Sequence, residues 1–192
     1  MMSLKTGDLL LFSASTWYSR IIEFFTASPI SHVAIVYKKE NKLYALESSL
    51  EPKNGVQLVL LDDLLEEYSN KSEHIYVMHL EIDRSAGFLE KLDHVVEKVL
   101  GVPYDVDPLD WLAAYLDVPA VGPKKSAFFC SALAAYIYVQ LSVVQKCDWT
   151  LIRPVDFQAL PTSSEEAAAQ HQPRLQMKNG VHFSTMTEIF SA

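Results

Sequence analysis

Apolar and polar positions along the chain alternate between two rhythms. Gly7-Asp8 leads into the apolar run Leu9-Leu10-Leu11-Phe12, which reads as a short buried strand entered from a turn. From Thr16 to Thr26 the residues Trp17, Ile21, Ile22, Phe24 and Phe25 predict one or two helical turns, stopped by Ser28-Pro29. Two β-rich runs, His32 to Tyr37 and Leu43 to Ser48, flank the polar stretch Lys38 to Lys42 and predict a hairpin. Asn54-Gly55 marks a turn before a strand from Val56 to Leu60, and Asp62 to Tyr68 reads as a short helix with acids in its first turn. Ile75 to Ile82 has the composition of a strand. Phe88, Leu92, Val95, Val96 and Val99 recur at helical spacing and predict a helix over 83–100, closed by Gly101.

Residues 102–127 break both rhythms, with Pro103, Pro108, Pro119, Gly122 and Pro123 around an apolar turn from Leu109 to Leu116. An apolar helix then starts at Cys130 and is expected to run to about Val144. Beyond Pro161 the composition turns polar and reads as a mobile connector, before Val181 to Phe190 regains aromatics and is expected to dock back on the body. The organisation is thus one domain over 1–160 and a connector with a docked terminal segment over 161–192. Its fold class is α+β, a mostly antiparallel sheet with helices on one side.

Bulk composition narrows the function. The chain has 192 residues, enough for one real core, and a net charge of −8 that leaves no basic stripe for a nucleic-acid backbone. Two cysteines, Cys130 and Cys147, do not make a disulfide framework. The early apolar run is too short for a signal-peptide core, and no stretch approaches the roughly 20 apolar residues of a membrane span. A reducing, cytoplasmic setting is the expectation, and it suits a working thiol. The strand at Val56 to Leu60 reads as a sheet edge, which leaves pairing of two copies into a homodimer open.

Cys130 carries the first chemical signal. A chain that turns into a helix there aims unpaired N–H groups and the positive end of the helix dipole at the sulfur, which favours the thiolate. A buried packing residue is the competing account of a cysteine in such a run. A nucleophilic thiol needs a base, and six histidines are available. His171 and His182 lie in or beyond the connector, and His94 falls on a charged helix face beside Asp93 and Glu97. His74 and His79 read as solvent-facing sheet residues, and as a metal pair they lack a third ligand at metal spacing. His32 stands apart, opening an apolar strand just after Pro29-Ile30-Ser31. If the hairpin turn has two or four residues, Glu47 shares the face of His32, directly across or one diagonal away. There it would orient the imidazole, or serve only as a cross-strand pair that stabilises the sheet.

Gly7-Asp8-Leu9-Leu10-Leu11-Phe12, Ser31-His32-Val33-Ala34-Ile35-Val36, Leu46-Glu47-Ser48, Gly101-Val102-Pro103-Tyr104-Asp105 and Phe129-Cys130-Ser131-Ala132-Leu133 stand in an order and spacing that resemble a known family. They are similar to the circularly permuted NlpC/P60 group of papain-like thiol hydrolases, in particular its YiiX/YebB-like and poxvirus G6-like branch. Leu151 to Phe157 resembles the proline-aspartate segment those proteins carry after the cysteine helix, so the likeness spans roughly residues 5–160. It implies a permuted papain-like fold, a sheet or half-barrel packed on the nucleophile helix, with the histidine strand early and the cysteine helix late. It also implies Cys130 as nucleophile, His32 as base and Glu47 as the third polar residue. The Cys130 backbone N–H is a natural oxyanion donor. Tyr104 matches a tyrosine near the site in relatives, and it is expected, with Ser31 and Ser131 that flank the matched histidine and cysteine, to contact the oxyanion or the substrate.

The function this implies is a cysteine hydrolase or acyltransferase acting on an amide, ester or thioester of a small-molecule, peptide or acyl-lipid substrate, with no cofactor and no metal. A catalytically silent module that binds a small ligand or acylated partner in the same cleft is the alternative. Asp107 to Lys125, and the segment beyond Pro161, lie outside the family pattern and could wall or cover the cleft. Cys147, beside Asp148 and without a matching base, reads as structural.

Overall fold

The structure is a computed structural model that describes residues 4–13, 29–70, 74–106, 126–169, 174–178 and 180–190. The helix expected over 16–26, the stretch 107–125 and His171 lie outside the described residues. In chain order the elements are β1 (Leu9–Ser13), β2 (His32–Lys39), β3 (Lys42–Ser49), β4 (Gly55–Leu60), α1 (Leu61–Asn70), β5 (His74–Met78), β6 (Leu80–Glu81), α2 (Ala86–Val99), α3 (Cys130–Gln140), α4 (Ser164–Ala169), β7 (His182–Phe183) and β8 (Thr187–Phe190). Two 3₁₀ turns, Trp149–Leu151 and Pro154–Phe157, follow α3.

Six strands form one sheet in the order β4-β3-β2-β1-β5-β8, antiparallel at every pairing. The class is α+β, as expected. The β2–β3 connection is a two-residue turn in which Glu40 and Asn41 both take positive φ, 48° and 64°. That is the twist-matched geometry of a tight hairpin, and it sets the register of everything after it.

Both faces of the sheet are buried, where helices on one side were expected. Leu9, Leu11, Val33, Ile35 and Leu46 pack with Leu92, Val96, Leu133 and Ile137 of α2 and α3. The alternate residues Leu10, Phe12, Ala34, Val36 and Ala45 form a second cluster with Leu61 and Leu64 of α1. A strand buried on both sides is apolar at every position, which explains the unbroken Leu9 to Phe12 run.

α2 is capped by Ser85, whose hydroxyl accepts from Phe88 N, and ends at Gly101 with φ of 77°. The chain then pairs with the start of β4: Gly101 N donates to Val56 O (2.9 Å) and Val56 N to Val102 O (2.8 Å). Gly55 makes this approach possible, since a Cβ there would stand 2.4 Å from the Val102 carbonyl oxygen.

α3 stops at Gln140, short of Val144, because Ser142 turns into positive φ of 62°. Residues 164–169, expected as part of a polar connector, form the short helix α4. Further on, Leu175, Met177 and Phe183 are buried in the main core, β7 pairs with β6, and β8 pairs with β5.

Candidate functional site

Cys130 is the first residue of α3, reached through Phe129 in an extended conformation, and its side chain is buried. Three contacts fix this corner. Ser48 Oγ of β3 donates to Phe128 O (2.7 Å), Phe128 N donates to Pro103 O (3.1 Å), and Ser131 Oγ donates to Ile152 O (2.7 Å). The helix start is thereby tied to the sheet, to the loop after α2, and to the chain between the two 3₁₀ turns.

His32 opens β2. The register pairs Ile35 with Leu46 and Val36 with Ala45, so one step further Glu47 falls opposite Ala34, a diagonal neighbour of His32 on the same face. The side chains meet there, with His32 Nε2 2.7 Å from Glu47 Oε2. A carboxylate only accepts, so Nε2 carries the hydrogen of this bond. The ring lies against Phe12 at 5.4 Å between centroids. Its other side hydrogen-bonds to the Cys130 thiol, which leaves Nδ1 as the nitrogen that faces sulfur.

These contacts set the protonation of His32. Burial alone would hold its pKa down. The negative charge and hydrogen bond of Cys130, followed by the hydrogen bond and charge of Glu47, outweigh burial and raise it from 6.5 to about 10. His32 is therefore an imidazolium at neutral pH, flanked by a sulfur and a carboxylate.

Glu47 is only 4% exposed, so both of its oxygens need donors. The second is met by Gln57 of β4, its cross-strand partner, whose Nε2 donates to Oε1 at 3.0 Å. Sequence reasoning passed over Gln57. The signal was present as a lone polar residue in the apolar run Val56-Gln57-Leu58, on the face period two gives to Glu47.

Tyr104 is half-buried, forms a parallel bridge with Phe128, and sets its ring edge-on to Phe129 at 6.3 Å. Its backbone N–H donates to Asn54 Oδ1 at 3.1 Å. Burial, then the charges of Cys130 and Asp105, push its hydroxyl well above the usual phenol range, so it stays a donor at any working pH. Ser31 is buried, with Oγ donating to Phe12 O at 3.4 Å. The hydroxyls of Ser31 and Ser131 thus both reach backbone carbonyls, and Cys130, His32, Glu47 and Tyr104 are the residues that come together.

The other histidines have partners of their own. His74 is exposed, as expected, and bonds Glu188 (2.6 Å). His79, expected to face solvent, instead sits in the break between β5 and β6 with Nδ1 2.7 Å from buried Asp8. Cys147 lies beyond α3 in a loop, half-buried, its thiol pushed up to about 11 by burial and then by Asp148.

Strands β1 to β5 come before a buried, cysteine-headed helix, the reverse of the order in which an unpermuted papain-like chain would present them. A family model described as "Permuted papain-like amidase enzyme, YaeF/YiiX, C92 family" matches residues 3–169, and the chain belongs to this family. The coarse assignment is therefore a hydrolase of the amidase or peptidase type. Among solved structures the chain is similar to one described as "Crystal structure of metalloprotein yiiX from Escherichia coli O157:H7, DUF1105". The two share 14% identity with a TM-score of 0.58, over 98% of this chain and 97% of that one. No curated protein matches. No helix among the described residues is long and apolar enough to cross a membrane.

Proposed function

We propose that the protein is a cysteine hydrolase or acyltransferase that forms an acyl-enzyme on Cys130, with His32 as acid and base and Glu47 as the residue that orients it. One observation carries this reading: His32 is held by a buried carboxylate on Nε2 and faces the Cys130 thiol with its other nitrogen. A base that bonds an orienting carboxylate on one side and a thiol on the other is the arrangement nucleophilic catalysis uses.

The reaction follows from these positions. Cys130 Sγ adds to the carbonyl carbon of an amide, ester or thioester, and the carbonyl oxygen takes up the electron pair. We assign that oxyanion to the Cys130 backbone N–H, at the head of α3, and to the Tyr104 hydroxyl, which feels the charge of Cys130. His32 gives its proton to the leaving nitrogen, oxygen or sulfur, and the tetrahedral adduct collapses to an S-acyl cysteine. Neutral His32 next takes a proton from water or another acceptor, which attacks the acyl carbon, and thiolate and imidazolium return together.

The similar solved structure is called a metalloprotein. Among the described residues of this chain no group of three or more His, Cys, Asp or Glu side chains is arranged to hold an ion, so no step is derived through one.

The test is labelling with a panel of acyl and peptidyl electrophiles, read by intact mass and peptide mapping. A single adduct on Cys130, absent in Cys130→Ala, is expected. An adduct on Cys147, or an undiminished hydrolysis rate in Cys130→Ala, overturns the reading. Which acyl probe reacts fastest identifies the substrate class.

A further inference from the structure

Gln57 lies one bond beyond the group just described. Its side chain is buried, and all of its amide valences are engaged. Nε2 donates to Glu47 Oε1 (3.0 Å) and to Glu51 O (2.6 Å), while Oε1 accepts from Lys53 N (3.2 Å). A carboxamide can be turned over without changing its shape, so its orientation has to come from its neighbours. Here the neighbours decide it. The Lys53 N–H can only donate, so it must meet the Gln57 carbonyl. The Glu51 carbonyl can only accept, so it must meet the amide nitrogen. The remaining N–H of that nitrogen is then aimed at Glu47.

We propose that Gln57 is a positioning residue of the site, which fixes the direction of every hydrogen bond from the 51–53 loop to Cys130. The inference rests on the reading of Cys130, His32 and Glu47 given above. With Oε1 supplied by an amide donor, Glu47 is turned so that Oε2 takes the Nε2–H of His32. That bond in turn presents Nδ1, and no other ring atom, to the sulfur. The loop's backbone thus sets, through two side chains, which ring nitrogen is left to meet the sulfur. Without the Gln57 donor, Glu47 has a buried oxygen with nothing to accept from, a situation that frees its carboxyl group to turn and releases its hold on His32.

The experiment is a titration of the His32 imidazole by NMR in the full chain, for wild type, Gln57→Met, Glu47→Gln and the double variant. Methionine fills a similar volume with no amide. Gln57→Met should lower the His32 pKa by about one unit or more. In the Glu47→Gln background the same substitution should move it by much less, because the effect travels through Glu47. An unchanged His32 pKa in Gln57→Met, or an equal drop in both backgrounds, overturns the inference. If Gln57→Met does not fold, Gln57→Asn serves instead, since the shorter amide cannot span from Glu51 to Glu47. It should lower the pKa in the same direction, and no change refutes the proposal.

This readout is independent of where electrophiles react. Labelling at Cys147 would refute the catalytic reading while the titration still reports on Gln57. Normal labelling at Cys130 with an unmoved His32 pKa would refute Gln57 alone.

Discussion

The molecule contains two buried carboxylates that each hold a histidine at 2.7 Å, and they do different work. Asp8 is completely buried and surrounded by donors: Arg84 at 2.5 Å and Leu80 N at 3.1 Å on Oδ1, Lys5 N at 2.9 Å and His79 on Oδ2. Arg84 also reaches Thr6 O and Ile82 O. Ser184 bonds the His79 backbone, so the knot gathers the first turn, the β5–β6 break and the C-terminal segment. Glu47, by contrast, holds two side chains, His32 and Gln57, and beyond His32 lies a thiol. A histidine–carboxylate pair is therefore no sign of catalysis by itself. What separates the two is the third group. A guanidinium beside Asp8 locks the chain, whereas the group beside His32 is a thiol, the one the proposed reaction uses.

Removing each histidine in turn is the sharpest way to break this contrast. His32→Ala should lower acyl-transfer turnover of the folded fraction by about 10³–10⁴-fold, while His79→Ala should leave kcat of its folded fraction within a few-fold of wild type. Comparable losses from the two would erase the distinction.

Asp8→Asn addresses the other half. It leaves Arg84 without its buried counter-charge and should cost about 3–5 kcal/mol in urea unfolding. The folded fraction should keep a normal labelling rate at Cys130, and selective loss of labelling would mean the knot is part of the site. Tyr104→Phe removes one candidate oxyanion donor and should reduce kcat by about 10²-fold without loss of stability, as read by steady-state kinetics and thermal unfolding.

The last prediction is a pH dependence. His32 has a folded pKa of about 10 against an unfolded value of 6.5. Its contribution to stability is thus complete below pH about 6.5 and is lost as pH rises toward 10. Wild type should therefore lose stability relative to Cys130→Ala across that window, because the alanine variant has already lost the contact that raises the histidine most. A difference independent of pH would show that His32 and Cys130 do not share a charge.

What could be read from the sequence follows how local each contact is. Glu47 was legible beside His32 because a two-residue turn and a period of two fix the register between them. Cys130 was legible as a helix start because Phe128-Phe129 precede an unbroken apolar run. Gln57 was less so, since its meaning depends on β3 and β4 pairing as well. The Asp8 knot was hidden altogether: His79 and Arg84 reach Asp8 from more than seventy positions away, and period two applied to His79 predicts solvent. Likewise, composition gave no sign that α1 would cover the far face of the sheet, since Leu61 and Leu64 become core residues only by that docking.

The order of parts along the chain also bears on synthesis. Histidine, glutamate and glutamine all lie on the hairpin-linked strands β2 to β4, while the thiol comes much later, at the head of α3. On the ribosome, where the N-terminal portion emerges first, the strands that carry His32, Glu47 and Gln57 are made before any thiol is present. On the reading proposed above, a nascent chain carries no nucleophile until α3 has been added to the strands that hold its partners.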